Sequence, residues 1–538
     1  MVRKLKISAL LLKRLELIKE PCSGCLFGLL YGKGTLLLLG FNVESTIGQI
    51  NYDRVHFKFP AEMDLCGLVK FGDYGDTEAQ LREIFKDVSH PVMLHCELGT
   101  LEGLRTEICL QKKWQDIAYE VMEMEELYRD FCFTHLKCDL DIYTEESTEQ
   151  VRQEMHNLRR KLSGGRLAFH VDSTRIVLAN SGAYGVSSRA GDMPLTTSIL
   201  LNREERTICV PLELEAMAML CKETKVSRLY GILIKSICRS LRLCEQSIVE
   251  RLEETKMKQL MVPRSYHFFP QEFGYFVACA YLDGVDDDVA FMQEKRKQLH
   301  RDFALPVTQP YFRRANRCIF EEDLPADVSL LNTHVGVKPS GVSDGKQYLV
   351  QGNYFHYHHK QQETPDNDWG CGYRSLQTIC SWFQLQGYTD HEMLTHFEIQ
   401  EYLVAIVEKP ESFAGSTEPI GSMEASKCLQ GLLNVESKIR RVSSGAELAL
   451  LASDLATHYE TQGTPIMIDG GVLAHTIIGI DYCKQTGQVK FLVLDPHYSG
   501  GDDPQAIQAK CLCDWQGIDF WDKESHYNLC MPQRPLLF

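Results

Sequence analysis

The chain has 538 residues, 44% of them hydrophobic and 24% charged, with a formal net charge of −16 at pH 7. That length predicts two or three domains with ample material for buried cores. The acidic balance, with no dense Lys/Arg tract, speaks against nucleic-acid partners and against direct docking on anionic lipid.

No segment approaches the roughly 20 apolar residues needed to span a bilayer. The best run, Cys25 to Phe41, is broken by Gly28, Gly32, Lys33 and Gly34, so direct membrane insertion is not expected. The N-terminus is basic, but Lys13 and Arg14 interrupt the apolar stretch and no small-residue cleavage site follows. Twenty cysteines without framework spacing suggest reduced thiols and an intracellular, soluble protein.

In chain order, residues 1–165 read as mixed α/β. Leu26 to Leu30 and Thr35 to Val43 are expected strands across the Gly32-Lys33-Gly34 turn, and Gln80 to Asp87 a short helix. Cys22-Ser23-Gly24-Cys25 has redox or half-zinc spacing, yet no second pair follows. Trp114, Ile117, Val121, Met124, Leu127, Tyr128 and Phe131 fall at helical spacing, as do Val151, Met155, Leu158 and Leu162 before Gly164-Gly165. Residues 166–331 alternate short strands with helices, Val226 to Leu252 and Val289 to Phe303 among them, and carry no chemical motif. A polar, turn-rich connector over 332–347 leads into a final domain, 348–538.

The chemistry lies in that last domain. It opens with Tyr354, His356, Tyr357, His358 and His359, whose histidine spacing is poor for one metal site. A tyrosine hydroxyl there could instead hydrogen-bond a developing oxyanion. Next, Leu376, Ile379, Cys380 and Phe383 define one face of a helix that stops at Gly387, with Asn367 and Asp368 as N-cap types ahead of it. Cys371 is therefore expected at or just before the first helical turn. The helix dipole favours a thiolate there, and Gly370 and Gly372 leave the sulfur uncovered. Apolar runs Pro465 to Ile468, Val472 to Tyr482 and Val489 to Leu494 read as strands, the last two joined by the turn Lys484-Gln485-Thr486-Gly487. The second hairpin strand ends in Asp495-Pro496-His497, where Pro496 stops the ladder and leaves an exposed end. Residues two apart on a strand share a face, so Asp495 and His497 project together. A cysteine nucleophile needs such a histidine and an orienting carboxylate. His475 is a rival base, since the hairpin places it roughly opposite Asp495, and these residues alone leave the choice between His475 and His497 open.

Asp368-Trp369-Gly370-Cys371-Gly372-Tyr373-Arg374-Ser375, with Asp495-Pro496-His497, closely resembles the cysteine proteases specific for the ubiquitin-fold modifier. Gly470 to Thr476 and the end from Tyr527 to Pro535 look like that family too, and the resemblance covers residues 345–538. It implies a papain-like, α+β protease domain in the unusual order Cys371, Asp495, His497, with His475 structural and an oxyanion tyrosine from the His356-Tyr357 pair. Asp368 stands where the family usually has Gly, and the family tyrosine stands about two residues nearer the cysteine, so Tyr354 is the substitute for Tyr357. The long N-terminal region resembles that of the two-domain branch. Ser8 to Val43 look like the opening of an MPN-type domain, but the Glu and His-x-His…Ser…Asp zinc set of an MPN metalloprotease is not found in residues 1–200.

The resemblance thus implies a thiol isopeptidase that cuts after the modifier's C-terminal Gly, on precursor and on conjugates, without metal or organic cofactor. It also implies a catalytically silent N-terminal module that reaches the endoplasmic reticulum membrane through an Odr-four-type adaptor, from the cytoplasm and with the nucleus open to it. Two other readings are an autophagin-type protease, whose motif continues with Met-Leu-Arg instead of Gly-Tyr-Arg-Ser, and a non-catalytic modifier-binding adaptor.

Overall fold

A computed structural model describes residues 2–43, 53–73, 78–171, 174, 176–185, 207–254, 259–270, 272–306, 311–320, 330–389, 391–471 and 473–535. The chain divides into two compact units, Met1–Pro306 and Val307–Phe538, so the polar stretch 332–347 lies inside the second. No helix among the described residues is long and apolar enough to cross a membrane.

The first unit begins with strands β1 (Lys4–Ser8), β2 (Cys22–Tyr31), β3 (Thr35–Phe41), β4 (Asp64–Phe71), β5 (Val92–Cys96), β6 (Arg105–Leu110), β7 (Lys113–Asp116) and β8 (Tyr119–Met122). They form one sheet in the order β7-β6-β5-β4-β2-β3-β1-β8. Cys22 and Cys25 are three apart on β2 and so point to opposite faces, which prevents them from sharing a ligand.

The helical stripe expected from Trp114 to Phe131 is a correction. Trp114 lies in β7, Val121 in β8, only Met124–Asp130 is helical, and Phe131 starts the long strand β9 (Phe131–Thr144). The cause is pairing: β7 folds back on β6 and β8 aligns in parallel with β1, and these ladders override a chance three-and-four spacing. The helices Thr148–Leu162, Val226–Glu254 and Ala290–Asp302 form where the periodicity puts them. The hairpin strands β10 (Ala168–Val171), β11 (Ile176–Ala179) and β12 (Gly182–Gly185) follow, then β13 (Ile208–Cys221), which pairs with β9 over fourteen residues, and the hairpin of β14 (Pro263–Phe268) with β15 (Val277–Leu282).

In the second unit β16 (Leu330–Leu331) pairs with β18 (Phe355–His356), and β17 (Lys346–Leu349) pairs with β21 (Leu473–Tyr482). The main sheet runs β19 (Ser437–Val442), β24 (Tyr527–Pro532), β20 (Ile466–Gly470), β21, β22 (Val489–Leu494) and β23 (Cys513–Gln516). Its central strands β20, β21 and β22 are apolar at most positions because both faces are covered. Met467, Leu492 and Leu494 join the core under the Cys371–Leu385 helix, while Ile466, Ile468, Phe491 and Val493 join a second core against Leu455 and Tyr459. Strand alternation thus feeds two cores at once. The Val472 end of the expected strand lies outside the described residues.

Candidate active site

The helix Cys371–Leu385 is buried from Cys371 through Phe383, more than its apolar stripe alone demands. Leu376, Ile379, Trp382 and Phe383 are fully enclosed, each contributing about 1.5–3 kcal/mol of apolar burial. Cys371 is the helix's first residue, as expected, but the cap differs. Gly370 is the N-cap, and the expected caps Asn367 and Asp368 are exposed turn residues.

The organising group is Asp366, which the sequence reading passed over. Its backbone carbonyl accepts from the N–H of Gly370 at 2.8 Å. Its buried carboxylate accepts from Arg374 Nε at 2.6 Å, from the Lys360 N–H at 2.8 Å and from His396 Nε2 at 3.1 Å. Burial alone would raise the Asp366 carboxyl, but these donors outweigh it and hold it well below the usual carboxylate range.

The glycines beside Cys371 have a different purpose from the one expected. A Cβ on Gly370 would stand 2.5 Å from Asp366 Oδ2, and one on Gly372 would stand 2.1 Å from the Ile420 carbonyl oxygen. Both permit close packing, and Cys371 itself is only 5% exposed.

The end of β22 is also packed, contrary to the expected exposed end. Pro496 is buried, and its carbonyl accepts from the His359 N–H at 2.9 Å. Asp495 Oδ1 takes both the backbone N–H of His497, at 2.9 Å, and its ring Nδ1, at 2.5 Å. Cys371 lies close enough to act on the same ring. Burial pulls the His497 imidazolium down, yet the bond to Asp495 and then the nearby Cys371 outweigh it and raise its pKa to about 9.

Two further imidazoles flank His497. The His475 ring lies 5.5 Å from it and the His359 ring 5.0 Å, edge-on. His475 Nε2 is 3.8 Å from Asp495 Oδ2, too long for a hydrogen bond. Burial, ahead of all other causes, lowers both His475 and His359 to about 4, so each is neutral at pH 7. Of the three, His497 alone hydrogen-bonds Asp495 and has its pKa raised by Cys371. His359 is a neighbour that the sequence reading considered only as a metal ligand.

The tyrosines separate as well. Tyr354 is fully buried, with its hydroxyl 2.8 Å from His334 Nδ1 and its ring stacked on His334. That hydroxyl is committed away from Cys371, which removes the expected substitute. Tyr357 is buried and its N–H donates to Thr378 Oγ1 at 3.1 Å, while the Phe355 N–H donates to Ser381 Oγ at 2.9 Å. Thr378 and Ser381 are one turn apart on the Cys371 helix, so the Tyr357 segment is stitched to the element that carries the nucleophile. His358 meets Asp502 at 2.8 Å and the His359 carbonyl at 2.9 Å, and His356 is fully enclosed and lowered to about 3, first by burial.

A thiol, a histidine and a carboxylate in this relation suit nucleophilic acyl transfer. Residues 345–530 match the model of Peptidase family C78, residues 1–127 that of the insect UFM1-specific protease N-terminal MPN-like domain, and residues 186–324 that of the N-terminal region of ubiquitin-fold modifier 1 specific protease 2. A Drosophila melanogaster protein named Probable Ufm1-specific protease 2 is 52% identical over 608 residues, covering 100% of both chains. The chain belongs to the Ufm1-specific protease family. Ufm1-specific protease 2 of Gallus gallus is 43% identical over 62% of this chain and 72% of its own length. The human protein of that name is 42% identical over 60% and 68%. The crystal structure of UfSP from C. elegans covers 99% of both chains with a TM-score of 0.71 at 21% identity, a likeness of fold. The chain is thus a cysteine protease of α+β fold, papain-like at its C-terminal end with an MPN-like region at its start.

Proposed function

We propose that the chain cleaves after the C-terminal Gly of Ufm1, both to mature its precursor and to release it from conjugated proteins. The observation that carries the residue assignment is the double hydrogen bond of Asp495 to His497, whose ring is also raised by the neighbouring Cys371. In this reading the Cys371 thiolate attacks the Gly carbonyl carbon. The oxyanion is held by the Tyr357 hydroxyl and by backbone N–H groups at the start of the Cys371 helix. His497 gives its proton to the departing amine, and water, deprotonated by His497, then hydrolyses the thioester.

The MPN-like N-terminal region serves in this reading as a catalytically silent docking module for an adaptor of the Odr-four type at the endoplasmic reticulum. The enzyme is then cytoplasmic, with a membrane-recruited fraction and access to the nucleus. Cell fractionation with and without the whole first unit, residues 1–306, tests that placement, and an unchanged membrane fraction would count against it.

The activity test uses the purified chain and a Ufm1 precursor with a C-terminal extension, read by intact mass. Cleavage after the Gly should vanish in Cys371→Ser and His497→Ala and persist in part in His475→Ala. If His475→Ala alone were inactive, the base would be His475.

A further inference from the structure

Far along the chain from the thiol, in the first unit, three donors of another kind converge. His135 on β9, Glu215 on β13 and His267 on β14 each bring one ligand atom within 4.8 Å of the other two. His135 Nε2 lies 3.4 Å from Glu215 Oε2, and His267 Nδ1 lies 3.7 Å from the same oxygen.

Those separations are long for a histidine–carboxylate pair and suit a shared ion. Histidine–carboxylate hydrogen bonds in this protein stand at 2.8 Å in His95–Glu107 and His358–Asp502, 3.1 Å in His396–Asp366 and 3.4 Å in His56–Asp64. The His135 contact equals the longest of these and the His267 contact exceeds it. Two donors on one tetrahedral zinc, each at 2.0–2.1 Å from the ion, stand about 3.4 Å apart. The Glu215 contacts match that spacing to within a few tenths of an ångström.

The scaffold is stiff. β9 and β13 pair with His135 opposite Met217 and Lys137 opposite Glu215, which puts His135 and Glu215 on one face as diagonal neighbours. The Val226–Glu254 helix fixes the remaining partner. Its Ser240 hydroxyl donates to the Glu215 carbonyl at 3.0 Å and meets Ser265, two residues before His267 on β14, at 2.7 Å. His267 is buried, so its ring is held in place among its neighbours.

Glu215 and His267 also line a cavity with about 10 Å³ of free space, room for about one water molecule. Lys58 and Arg239 line it too, but the Arg239 guanidinium is engaged by Asp64 at 2.5 Å and by the carbonyls of Phe59, Pro60 and Met63.

We propose that His135, Glu215 and His267 are the protein ligands of a divalent metal ion of the zinc class, with water in the fourth position, clipping β14 to the β9–β13 pair. Two imidazoles, a carboxylate and one open position form a recognised zinc donor set. The site differs from an MPN metalloprotease centre, since its donors come from three strands outside the matched residues 1–127.

The test uses the full chain carrying His497→Ala, because His475, Asp495 and His497 form a second group of convergent donors that could bind added zinc. After chelator treatment and dialysis, zinc alone is added at low micromolar concentration, and bound metal and Tm are read. The expected result is about one zinc per chain and a higher Tm. Adding Glu215→Gln or His135→Gln should lower the affinity at least tenfold and abolish the Tm rise, while the metal-free Tm stays within a few degrees of the parent. The two variants are independent, so one that fails to fold leaves the other to decide. No zinc bound by the parent, or equal stoichiometry and Tm rise in the variants, would overturn the proposal.

Discussion

One carboxylate oxygen, Asp495 Oδ1, receives two donors from His497: the backbone N–H at 2.9 Å and ring Nδ1 at 2.5 Å. The pair of bonds fixes both the turn and the tautomer, leaving Nε2 for Cys371. Asp495→Asn keeps the size of the side chain but lets its NH2 face Nδ1, which favours the wrong tautomer. Cleavage of a Ufm1 precursor should fall by about 10³- to 10⁴-fold in kcat, the loss known for the same change in a serine protease triad, with little change in Tm. A loss under tenfold would mean that Asp495 does not orient the base.

The protonation of His497 gives a pH signature. Its folded pKa is raised to about 9 from an ordinary 6.5, the bond to Asp495 and the neighbouring Cys371 overcoming the penalty of burial. A raised value means that the charged ring stabilises the fold. That contribution is complete below pH 6.5 and disappears as pH rises through about 9. Thermal unfolding of wild type should therefore lose stability between these limits, and His497→Ala should flatten that slope. The alkaline limb of kcat/KM should lie near pH 9 and move toward 6.5 in Asp495→Asn, because the Asp495 bond is the largest of the raising causes. An alkaline limb that stays in place would remove Asp495 as the source of the shift.

Local pattern announced the helix that begins at Cys371 and the β21–β22 hairpin, because each rests on periodicity and turn chemistry within about fifteen residues. It also brought Asp495 near both His475 and His497, but could not choose between them. That choice depends on burial of His475 against Phe520 and Trp521, which lie about 45 residues further on. Asp366 stayed hidden for the same reason. Its partners Lys360, Arg374 and His396 are spread over 36 residues, and nothing in the local run Pro365-Asp366-Asn367 distinguishes a buried anchor from a turn. Trp114 to Phe131 misled because apolar residues at three-and-four spacing happened to straddle three strands and a short helix.

The Asp366–Arg374 pair has neither side chain exposed to solvent. Removing one partner leaves the other charged, buried and unpaired, at a cost of about 3–5 kcal/mol. Asp366→Ala should therefore lower the unfolding free energy by about that amount in urea, with unchanged m. It also frees the Lys360 N–H and the approach to Cys371, so kcat should fall even where the protein remains folded. Asp366→Asn, which keeps an acceptor, should lose less of both. Equal stability of Asp366→Ala and wild type would show the pair to be incidental.

Gly372 sets two opposing effects against each other. Alanine is the better helix former by about 1 kcal/mol, so on propensity alone Gly372→Ala would stabilise the helix. Against that, the new Cβ would stand 2.1 Å from the Ile420 carbonyl oxygen, a backbone atom that cannot rotate aside. Ile420 in turn leads into the helix Ser422–Leu433, whose start is held to β20 by the Ser422 N–H donating to Asp469 Oδ1 at 2.7 Å. Overpacking of this kind costs about 1–3 kcal/mol, so the clash should win and Tm should fall. Activity should fall further than stability, because relieving the contact against a held Ile420 segment moves the turn of helix that carries Cys371. Gly387→Ala makes the comparison: its Cβ would meet side-chain atoms of Arg313 and Asn316 no nearer than 3.2 Å, and its φ of 74° carries the strain instead. That variant should lose Tm while keeping kcat, because Gly387 lies beyond the far end of the helix from Cys371. If Gly372→Ala were as stable and as active as wild type, the Ile420 segment would have to be free to yield, and close packing would not be the reason for a glycine after the nucleophile.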